Sequence, residues 1–349
     1  MTRKLWQATL KQKKDSNLFS FENFISKKLN KKFKRNYKKL LDWSIKNSPD
    51  FWNFFWDFSS IKGFKSKKKF KKSKIFYKNL FLPGSKLNFG ENLLSKNNHD
   101  KAVTFISENG FREQKSWRQL NLSTSKIIKF LKEINVKKGD RIAAYMPNTI
   151  ETVEVFIAVT SFGCIWSSCS PDFGAKGVIE RFSQINPKVL FVTDQYFYNG
   201  KKINILQRLE EILKFIPSIK NVVVVNYPGK NFINYNKKLK KVKLFKWNEL
   251  MLTRSQKINF KKYDFENALA ILYSSGTTGK PKCICHRSGG VLLQHKKEHL
   301  LHCDIKEKDN IFYFSALEVG AYEINLNIET DSGKEIAVEN FNFLAMDFI

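Results

Sequence analysis

A glycine-rich segment at residues 273–282, with the sequence YSSGTTGKPK, concentrates side chains that could bind phosphate. Gly276 and Gly279 allow tight backbone turns that expose N–H groups to an anion. Small hydroxyl donors and positive charges lie beside these glycines, at Ser274, Ser275, Thr277, Thr278, Lys280 and Lys282. A polyphosphate is bound by this combination of fixed dipoles, small donors and cations. The segment therefore predicts a nucleotide-phosphate loop.

The residues around this segment support the same interpretation. An apolar run at residues 268–272 (ALAIL) predicts a strand that ends where the loop begins. The pattern differs from the P-loop, because no Gly-Lys-Ser/Thr follows four residues after a first glycine. The alternative is a solvent-exposed Ser/Gly turn, but so many hydroxyls after an apolar strand are not typical of ordinary turns.

Strands and helices alternate along the part of the chain that precedes the loop. Apolar strands are predicted at residues 141–145, 164–167, 189–193, 221–225 and 268–273. Helices are predicted at residues 117–134, 149–162, 175–185 and 205–215. This alternation predicts an α/β fold with a largely parallel, helix-flanked sheet. Ligands of such sheets bind beyond the carboxyl ends of the strands, where the loop would lie.

The chain has 349 residues and a formal net charge of +30, from 62 lysines and arginines against 32 acidic residues. A basic excess of this size can indicate nucleic acid or an anionic membrane surface. Here the excess is mostly lysine, whereas arginine reads phosphates and bases better. Phenylalanine, isoleucine and asparagine are also abundant, and they share A- and T-rich codons with lysine. We therefore expect neither a nucleic-acid nor a membrane partner, and we interpret the lysine-rich run at residues 65–74 as a solvated linker.

The segment SGTTGKPK (residues 275–282) resembles the phosphate-binding signature of the adenylate-forming superfamily, which includes the acyl-CoA synthetases. That superfamily joins a carboxylate to the α-phosphate of ATP, releases diphosphate and passes the acyl group to a thiol. The resemblance implies that ATP, with Mg²⁺ on its phosphates, binds at the loop, and that CoA is the co-substrate. It assigns the phosphates to Ser274, Ser275, Gly276, Thr277, Thr278, Gly279 and Lys282.

Within the superfamily the chain resembles the acetoacetyl-CoA synthetases, and the matching stretches occur in order along the chain. They lie at residues 41–52, 83–94, 139–148, 165–174, 181–191 and 292–304. The resemblance implies an ATP-dependent acid–CoA ligase that converts acetoacetate, ATP and CoA to acetoacetyl-CoA, AMP and diphosphate through an acyl-adenylate. In related synthetases the region that matches Phe173, Gly174 and Arg181 lies near the CoA entrance. A surface Arg181 paired with a carboxylate is the alternative.

The resemblance ends near residue 314, where the composition changes. Residues 315–349 contain seven acidic residues and one basic residue, and residues 322–329 alternate like a half-exposed strand. We expect a cap segment at 1–100, an incomplete AMP-binding domain at 101–314 and an unmatched acidic tail at 315–349. The Thr-Glu motif and the C-terminal lysine of the superfamily have no match, so the catalytic residues stay unassigned. An inactive ATP-binding fragment, a pseudogene product and a ligase for another short acid are the alternatives.

Three histidines follow the loop at helical spacing. His295, His299 and His302 would share one face of a helix, and this spacing permits zinc. The resemblance implies no metal there, so we predict packing or hydrogen-bonding roles. His286 is a weaker candidate for shaping the site.

The five cysteines are odd in number and lack paired spacing, which indicates free thiols in a reducing compartment. Cys283 and Cys285 alternate along a predicted strand, and we expect both in the core. The chain begins without a continuous apolar signal region, and no apolar run approaches the roughly 18 residues that cross a bilayer. We therefore expect a cytoplasmic protein.

Overall fold

The computed structural model describes residues 7–107, 110–198, 200–229, 233, 235, 241–274, 279–311, 320–329 and 335–345. The chain forms two compact units, Met1–Lys306 and Glu307–Ile349.

Helices cover much of the first unit. The α-helices are α1 (Leu10–Lys14), α2 (Asn17–Leu29), α3 (Tyr37–Lys46), α4 (Ser48–Phe58), α5 (Phe89–Leu93), α6 (Trp117–Glu133), α7 (Ile150–Ser161), α8 (Ala175–Phe182), α9 (Leu209–Phe215), α10 (Trp247–Leu252) and α11 (Ser288–Lys297). Short 3₁₀ helices occupy Phe76–Lys78 and Leu206–Arg208, and a π-helical turn occupies Glu298–His302. None of the helices in the described ranges is long and apolar enough to cross a bilayer.

Strands occur in both units. In the first unit they are β1 (Gly63–Phe64), β2 (Phe70–Lys71), β3 (Leu80–Phe81), β4 (Lys86–Leu87), β5 (Lys101–Ile106), β6 (Arg112–Ser116), β7 (Arg141–Tyr145), β8 (Ile165–Cys169), β9 (Val189–Thr193), β10 (Gln195–Tyr198), β11 (Lys201–Asn204), β12 (Asn221–Val225), β13 (Lys243–Lys246), β14 (Tyr263–Asp264), β15 (Ala268–Ser274) and β16 (Lys282–Arg287). The second unit contains β17 (Gly320–Glu329) and β18 (Glu335–Ala345).

A mixed sheet forms the centre of the first unit. Within its described residues, seven strands pair in the order β13-β12-β9-β7-β8-β15-β16. The pairs from β13 to β15 are parallel, and β16 runs antiparallel to β15. The largely parallel sheet predicted from the sequence is confirmed.

Each face of the sheet carries its own hydrophobic core. In β9, Val189 and Phe191 belong to one core, whereas Leu190 and Val192 belong to the other. Successive side chains of a strand point to opposite faces, so an unbroken apolar run is typical of a strand buried on both sides. Helices α6, α7 and α11 contribute to the first core, and α8 and α9 contribute to the second.

A glycine turn fixes the passage from α7 to β8. Gly163 has φ +77°, and a Cβ atom there would lie 2.4 Å from the ring of Tyr263. Left-handed backbone and close packing both favour glycine at this position. The Tyr263 hydroxyl donates to the carbonyl of Phe162 at 2.7 Å, which closes the end of the helix.

The lysine-rich run at residues 65–74 is not a plain linker. Phe70 in β2 pairs with Phe81 in β3, and two of the lysines, Lys65 and Lys69, form ion pairs with carboxylates of α4. The linker prediction is wrong in this respect, because acidic residues of the preceding helix face the run. Most of the other lysines in the run are exposed, as expected.

The second unit contains an antiparallel hairpin. Strands β17 and β18 pair from Gly320 with Ala345 to Glu329 with Glu335. The strand predicted at residues 322–329 lies within β17. The turn between the two strands lies outside the described residues.

Candidate functional site

The predicted phosphate loop joins the last parallel strand of the sheet to its antiparallel edge strand. Ser274, at the end of β15, pairs with Lys282, at the start of β16. The loop therefore leaves and re-enters the sheet at one point. Four of the residues assigned to the phosphates lie outside the described residues: Ser275, Gly276, Thr277 and Thr278.

The exit of this loop is open and positively charged. Gly279 has φ +96°, and a Cβ atom there would meet no heavy atom of the described residues within 4 Å. Glycine at this position lets the backbone turn in the left-handed region. Lys280 and Lys282 are exposed on either side of the buried Pro281. The described end of the loop can therefore receive an anion.

The loop lies at the carboxyl edge of the parallel strands. Strand β15 is parallel to β8, with Ala270 opposite Trp166, so both strands end on the same side of the sheet. Ser167 in β8 joins the two strands: its hydroxyl donates to the carbonyl of Ile271 at 2.8 Å and lies 3.2 Å from the hydroxyl of Tyr273. Burial raises the pKa of Tyr273 above its ordinary value, so its hydroxyl stays protonated near neutral pH.

Residues 170–174, which we name the β8 loop, follow strand β8 at the same edge. Phe173 is 39% exposed, and Gly174 directly precedes α8. The guanidinium carbon of Arg181 lies 4.0 Å from the centre of the Phe173 ring and 5.9 Å from that of Tyr273. The first distance is typical of a cation–π contact, worth about 0.5–2 kcal/mol.

The alternative role of Arg181, an ion pair with a carboxylate, does not occur among the described residues. Its Nη1 atom donates instead to the carbonyl of Gly177 at 2.9 Å. Arg181 thus lies between the β8 loop and the strand that leads into the phosphate loop. The three residues predicted near the CoA entrance, Phe173, Gly174 and Arg181, are neighbours in the fold.

A partly buried arginine, Arg208, holds the main chain of the β8 loop, and no motif in the sequence points to it. Nη1 of Arg208 lies 2.7 Å from the hydroxyl of Tyr145, 2.9 Å from the carbonyl of Pro171 and 3.1 Å from the carbonyl of Phe173. The Tyr145 hydroxyl in turn donates to the Phe173 carbonyl. Hydrogen bonds to a charged donor contribute about 1.5–3 kcal/mol each. Burial raises the pKa of Tyr145, although Arg208 offsets part of the rise, so the phenol remains a donor.

The side chain of Asp172 is held separately. Its carboxylate accepts hydrogen bonds from Tyr196 in β10 at 2.8 Å and from Ser170. Burial and the neighbouring Asp172 raise the pKa of Tyr196, which keeps its hydroxyl protonated. Hydrogen bonds therefore hold both the backbone of the β8 loop and the side chain of Asp172.

Gln184, which follows α8, reaches the exit of the phosphate loop. Its Nε2 atom donates to the carbonyl of Pro281 at 2.9 Å, and its Oε1 atom lies 3.6 Å from the Cys283 sulfur. Cys283 and Cys285 are exposed, so the prediction that they belong to the core is wrong. The physical reason is that both faces of β16, which among the described residues pairs with β15 alone, are largely open to solvent.

The histidines lie on the helix that follows β16. The rings of His295, on α11, and His299 are 6.4 Å apart, and both His299 and His302 lie on the π-helical turn, which changes the helical spacing. Burial lowers the pKa of His295, and the charges of His299 and His286 lower it further. The described residues contain no group of three or more His, Cys, Asp or Glu side chains arranged to hold a metal.

A second buried charged group lies between β6 and α7. Lys115 pairs with Glu154 at 2.9 Å and lies 3.8 Å from Glu113. Burial raises the pKa of Glu154 to about 7, and the positive charge of Lys115 offsets only part of that rise. Burial alone would lower the pKa of Lys115, but the charge and hydrogen bond of Glu154 outweigh it and raise the pKa.

Comparisons with known proteins agree with this architecture. A family model described as "AMP-binding enzyme" matches residues 93–318. The acetoacetyl-CoA synthetase of Xenopus tropicalis is 36% identical over 313 residues, which are 87% of this chain and 46% of that protein. The acetoacetyl-coenzyme A synthetase of Rhizobium meliloti (strain 1021) is 34% identical over 313 residues, which are 90% of this chain and 47% of that protein. The chain thus spans about half the length of the curated relatives it matches.

A solved structure shows the same fold. Acetoacetyl-CoA synthetase from Streptomyces lividans aligns with a TM-score of 0.79 and 26% sequence identity, covering 87% of this chain and 46% of that chain. The family match covers more than half of the chain and contains the seven strands of the central sheet, the β8 loop and the phosphate loop. The chain therefore belongs to the AMP-binding enzyme family.

Proposed function

We propose that the chain provides the ATP- and CoA-binding part of an acetoacetate–CoA ligase. The observation that carries the proposal is the similarity along most of this chain to acetoacetyl-CoA synthetases from an animal and a bacterium. The position of the glycine-rich loop supports it, because the loop lies at the carboxyl edge of a parallel sheet.

The reaction we propose has two steps. A carboxylate oxygen of acetoacetate attacks the α-phosphorus of ATP, and diphosphate leaves. The CoA sulfur, as the thiolate, then attacks the carbonyl carbon of the acyl-adenylate, and AMP leaves. The first step is needed because a free carboxylate is a poor acyl donor, whereas AMP is a good leaving group.

The loop of residues 274–282 suits the phosphates of ATP in this proposal. Lys282 offers a cation, and Gly279 leaves open space around the backbone. Among the described residues no acidic cluster is arranged for a metal, so Mg²⁺ would be held mainly by phosphate oxygens. CoA would enter beside Phe173, Gly174 and Arg181.

A cytoplasmic location is also part of the proposal. All five cysteines are free thiols. Free thiols are typical of reducing compartments. Acetoacetate, ATP and CoA are the small-molecule partners that the proposal requires.

The test is acetoacetate-dependent exchange of labelled diphosphate into ATP. We expect exchange with acetoacetate and weaker exchange with acetate or propionate. The Lys282→Met variant should weaken ATP binding by about 10- to 100-fold, the loss of one charge-assisted contact. Lys257→Met, at an exposed lysine outside the loop, is the matched control and should bind ATP like the wild type.

Two results would change the proposal. ATP binding without acid-dependent exchange would favour an inactive ATP-binding chain. Exchange that is faster with another short acid would keep the ligase class and replace acetoacetate as the substrate.

A further inference from the structure

Arg208 donates hydrogen bonds to the backbone of the β8 loop rather than to its side chains. The Nη1 nitrogen of Arg208 carries two hydrogens and lies within hydrogen-bond distance of three acceptors. These are the carbonyls of Pro171 and Phe173 and the hydroxyl of Tyr145. Two carbonyl dipoles that converge on one point repel each other unless a cation lies between them. The charge of Arg208 therefore stabilises a loop conformation that a neutral side chain would leave strained.

Tyr145 connects this contact to the most rigid part of the fold. Tyr145 is the last residue of the central strand β7 and is fully buried. Its hydroxyl accepts from Arg208 and donates to the Phe173 carbonyl. The backbone carbonyls of the β8 loop, rather than its side chains, thus make the hydrogen bonds that fix the loop to the sheet.

The position of Phe173 then sets the position of Arg181. The Phe173 ring lies 4.0 Å from the Arg181 guanidinium carbon, and the same carbon lies 5.9 Å from the ring of Tyr273, which adjoins Ser274. A shift of the Phe173 backbone would move this stack. Arg208 does not itself belong to the stack, so its influence passes through the loop.

We propose that Arg208 is a positioning residue for acyl transfer to CoA: it holds the β8 loop in the conformation that receives the thiol substrate. The inference rests on the proposed function, which puts CoA beside Phe173 and Gly174. A residue that only stabilises the fold would change ATP and CoA binding together. A positioning residue of the β8 loop changes CoA binding selectively.

The experiment compares three variants of the 349-residue chain with the wild type. Arg208→Met removes the donors and keeps the aliphatic stem. Arg208→Lys keeps the charge and a donor nitrogen, but on a shorter and more flexible side chain than the planar guanidinium, so rescue should be partial. Arg254→Met makes the same chemical change at an exposed arginine after α10. Calorimetric titration gives the Kd of CoA and of ATP, and hydrogen exchange reports the amides of residues 172–174.

We expect Arg208→Met to weaken CoA binding about tenfold, because small displacements of a binding loop are costly. Amide exchange of the β8 loop should become faster, while the Kd of ATP stays at the wild-type value. Arg208→Lys should fall between Arg208→Met and the wild type, and Arg254→Met should match the wild type. If Arg208→Met does not fold, Arg208→Lys alone tests the positioning role. Its affinity for CoA should be about threefold lower than that of the wild type.

Three outcomes would contradict the inference. Unchanged CoA affinity in folded Arg208 variants overturns the positioning role while leaving the proposed function intact. Equal losses of ATP and CoA affinity, together with a lower Tm, indicate a purely structural role. A wild-type chain that binds no CoA overturns the proposed CoA site itself, and with it the role of Arg208.

Discussion

Strands β9 and β16 belong to the same sheet, but their surroundings differ. Strand β9 has neighbours on both sides and each of its five residues is buried, whereas β16 has a single neighbour in the part of the chain that the structure describes and is mostly exposed. The apolar centre contributes packing free energy, and the edge carries the polar and positively charged residues beside the phosphate loop. In this fold, different strands therefore provide stability and ligand contacts. A substitution can change one of these properties without changing the other.

The largest expected difference is in the free energy of unfolding. Phe191 in β9 is fully buried, so Phe191→Ala should lower this free energy by about 3–5 kcal/mol through the cavity it leaves. Ile284 in β16 is 46% exposed, and Ile284→Ala should cost less than about 1 kcal/mol. Urea unfolding followed by circular dichroism measures both. Equal losses would show that the edge strand is as well packed as the centre.

A smaller effect is expected from Glu154, on the helix that covers the central strands. The pKa of Glu154 is about 7 in the folded protein, against 4.5 for an ordinary glutamate, and burial is the main cause. The folded state binds this proton more tightly than the unfolded chain does. The free energy of unfolding therefore falls as the pH rises from about 4.5 to about 7. This loss should amount to about 1–3 kcal/mol, at 1.36 kcal/mol for each pKa unit.

Glu154→Gln removes the ionisation and tests this expectation. The free energy of unfolding of the variant, measured relative to that of the wild type, should rise by about 1–3 kcal/mol between pH 4.5 and pH 8. The charged neighbours Glu113, Lys115 and Glu151 remain, so urea unfolding at several pH values should isolate the contribution of Glu154. Glu133→Gln, at an exposed glutamate that ends α6, is the control and should follow the wild type. Parallel pH profiles for all three proteins would refute the assignment.

The smallest expected effect is a difference in reactivity between buried and exposed cysteines, which can be measured without perturbing the fold. Cys164 and Cys169 are buried, and burial raises the pKa of each thiol to about 12, so little thiolate forms at pH 8. Cys283, Cys285 and Cys303 are exposed. Iodoacetamide should label the exposed thiols in the native protein and reach Cys164 and Cys169 only after unfolding, as mass spectrometry of peptides can show. Rapid native labelling of Cys169 would mean that β8 opens to solvent.

The strands of the sheet could be predicted because apolar runs buried on both faces are distinctive. The predicted strands at 141–145, 189–193 and 221–225 coincide with β7, β9 and β12. Helix ends were less predictable. The helix predicted at 175–185 ends at Phe182, and residues 183–186 form a turn in which Asn186, at φ 48°, leads into Pro187.

The candidate site could be predicted in part. The chemistry of the phosphate loop is local, so its residue types indicate an anion site without knowledge of the fold. Arg208 and Tyr145 are 63 positions apart in sequence and meet only in the folded chain. The exposure of Cys283 and Cys285 was missed for a related reason, since alternation along a strand does not reveal whether other elements cover its faces.

The strand order also sets a sequence of events during synthesis on the ribosome. Strand β8 can pair with β7 once both have emerged, but its other partner, β15, begins at Ala268, after β9, β12 and β13 have been made. About one hundred residues are translated in this interval, which takes roughly 5–20 s. During that time β8 offers unpaired backbone groups. Codon choice or chaperone binding between Cys169 and Ala268 should therefore influence the yield of folded protein.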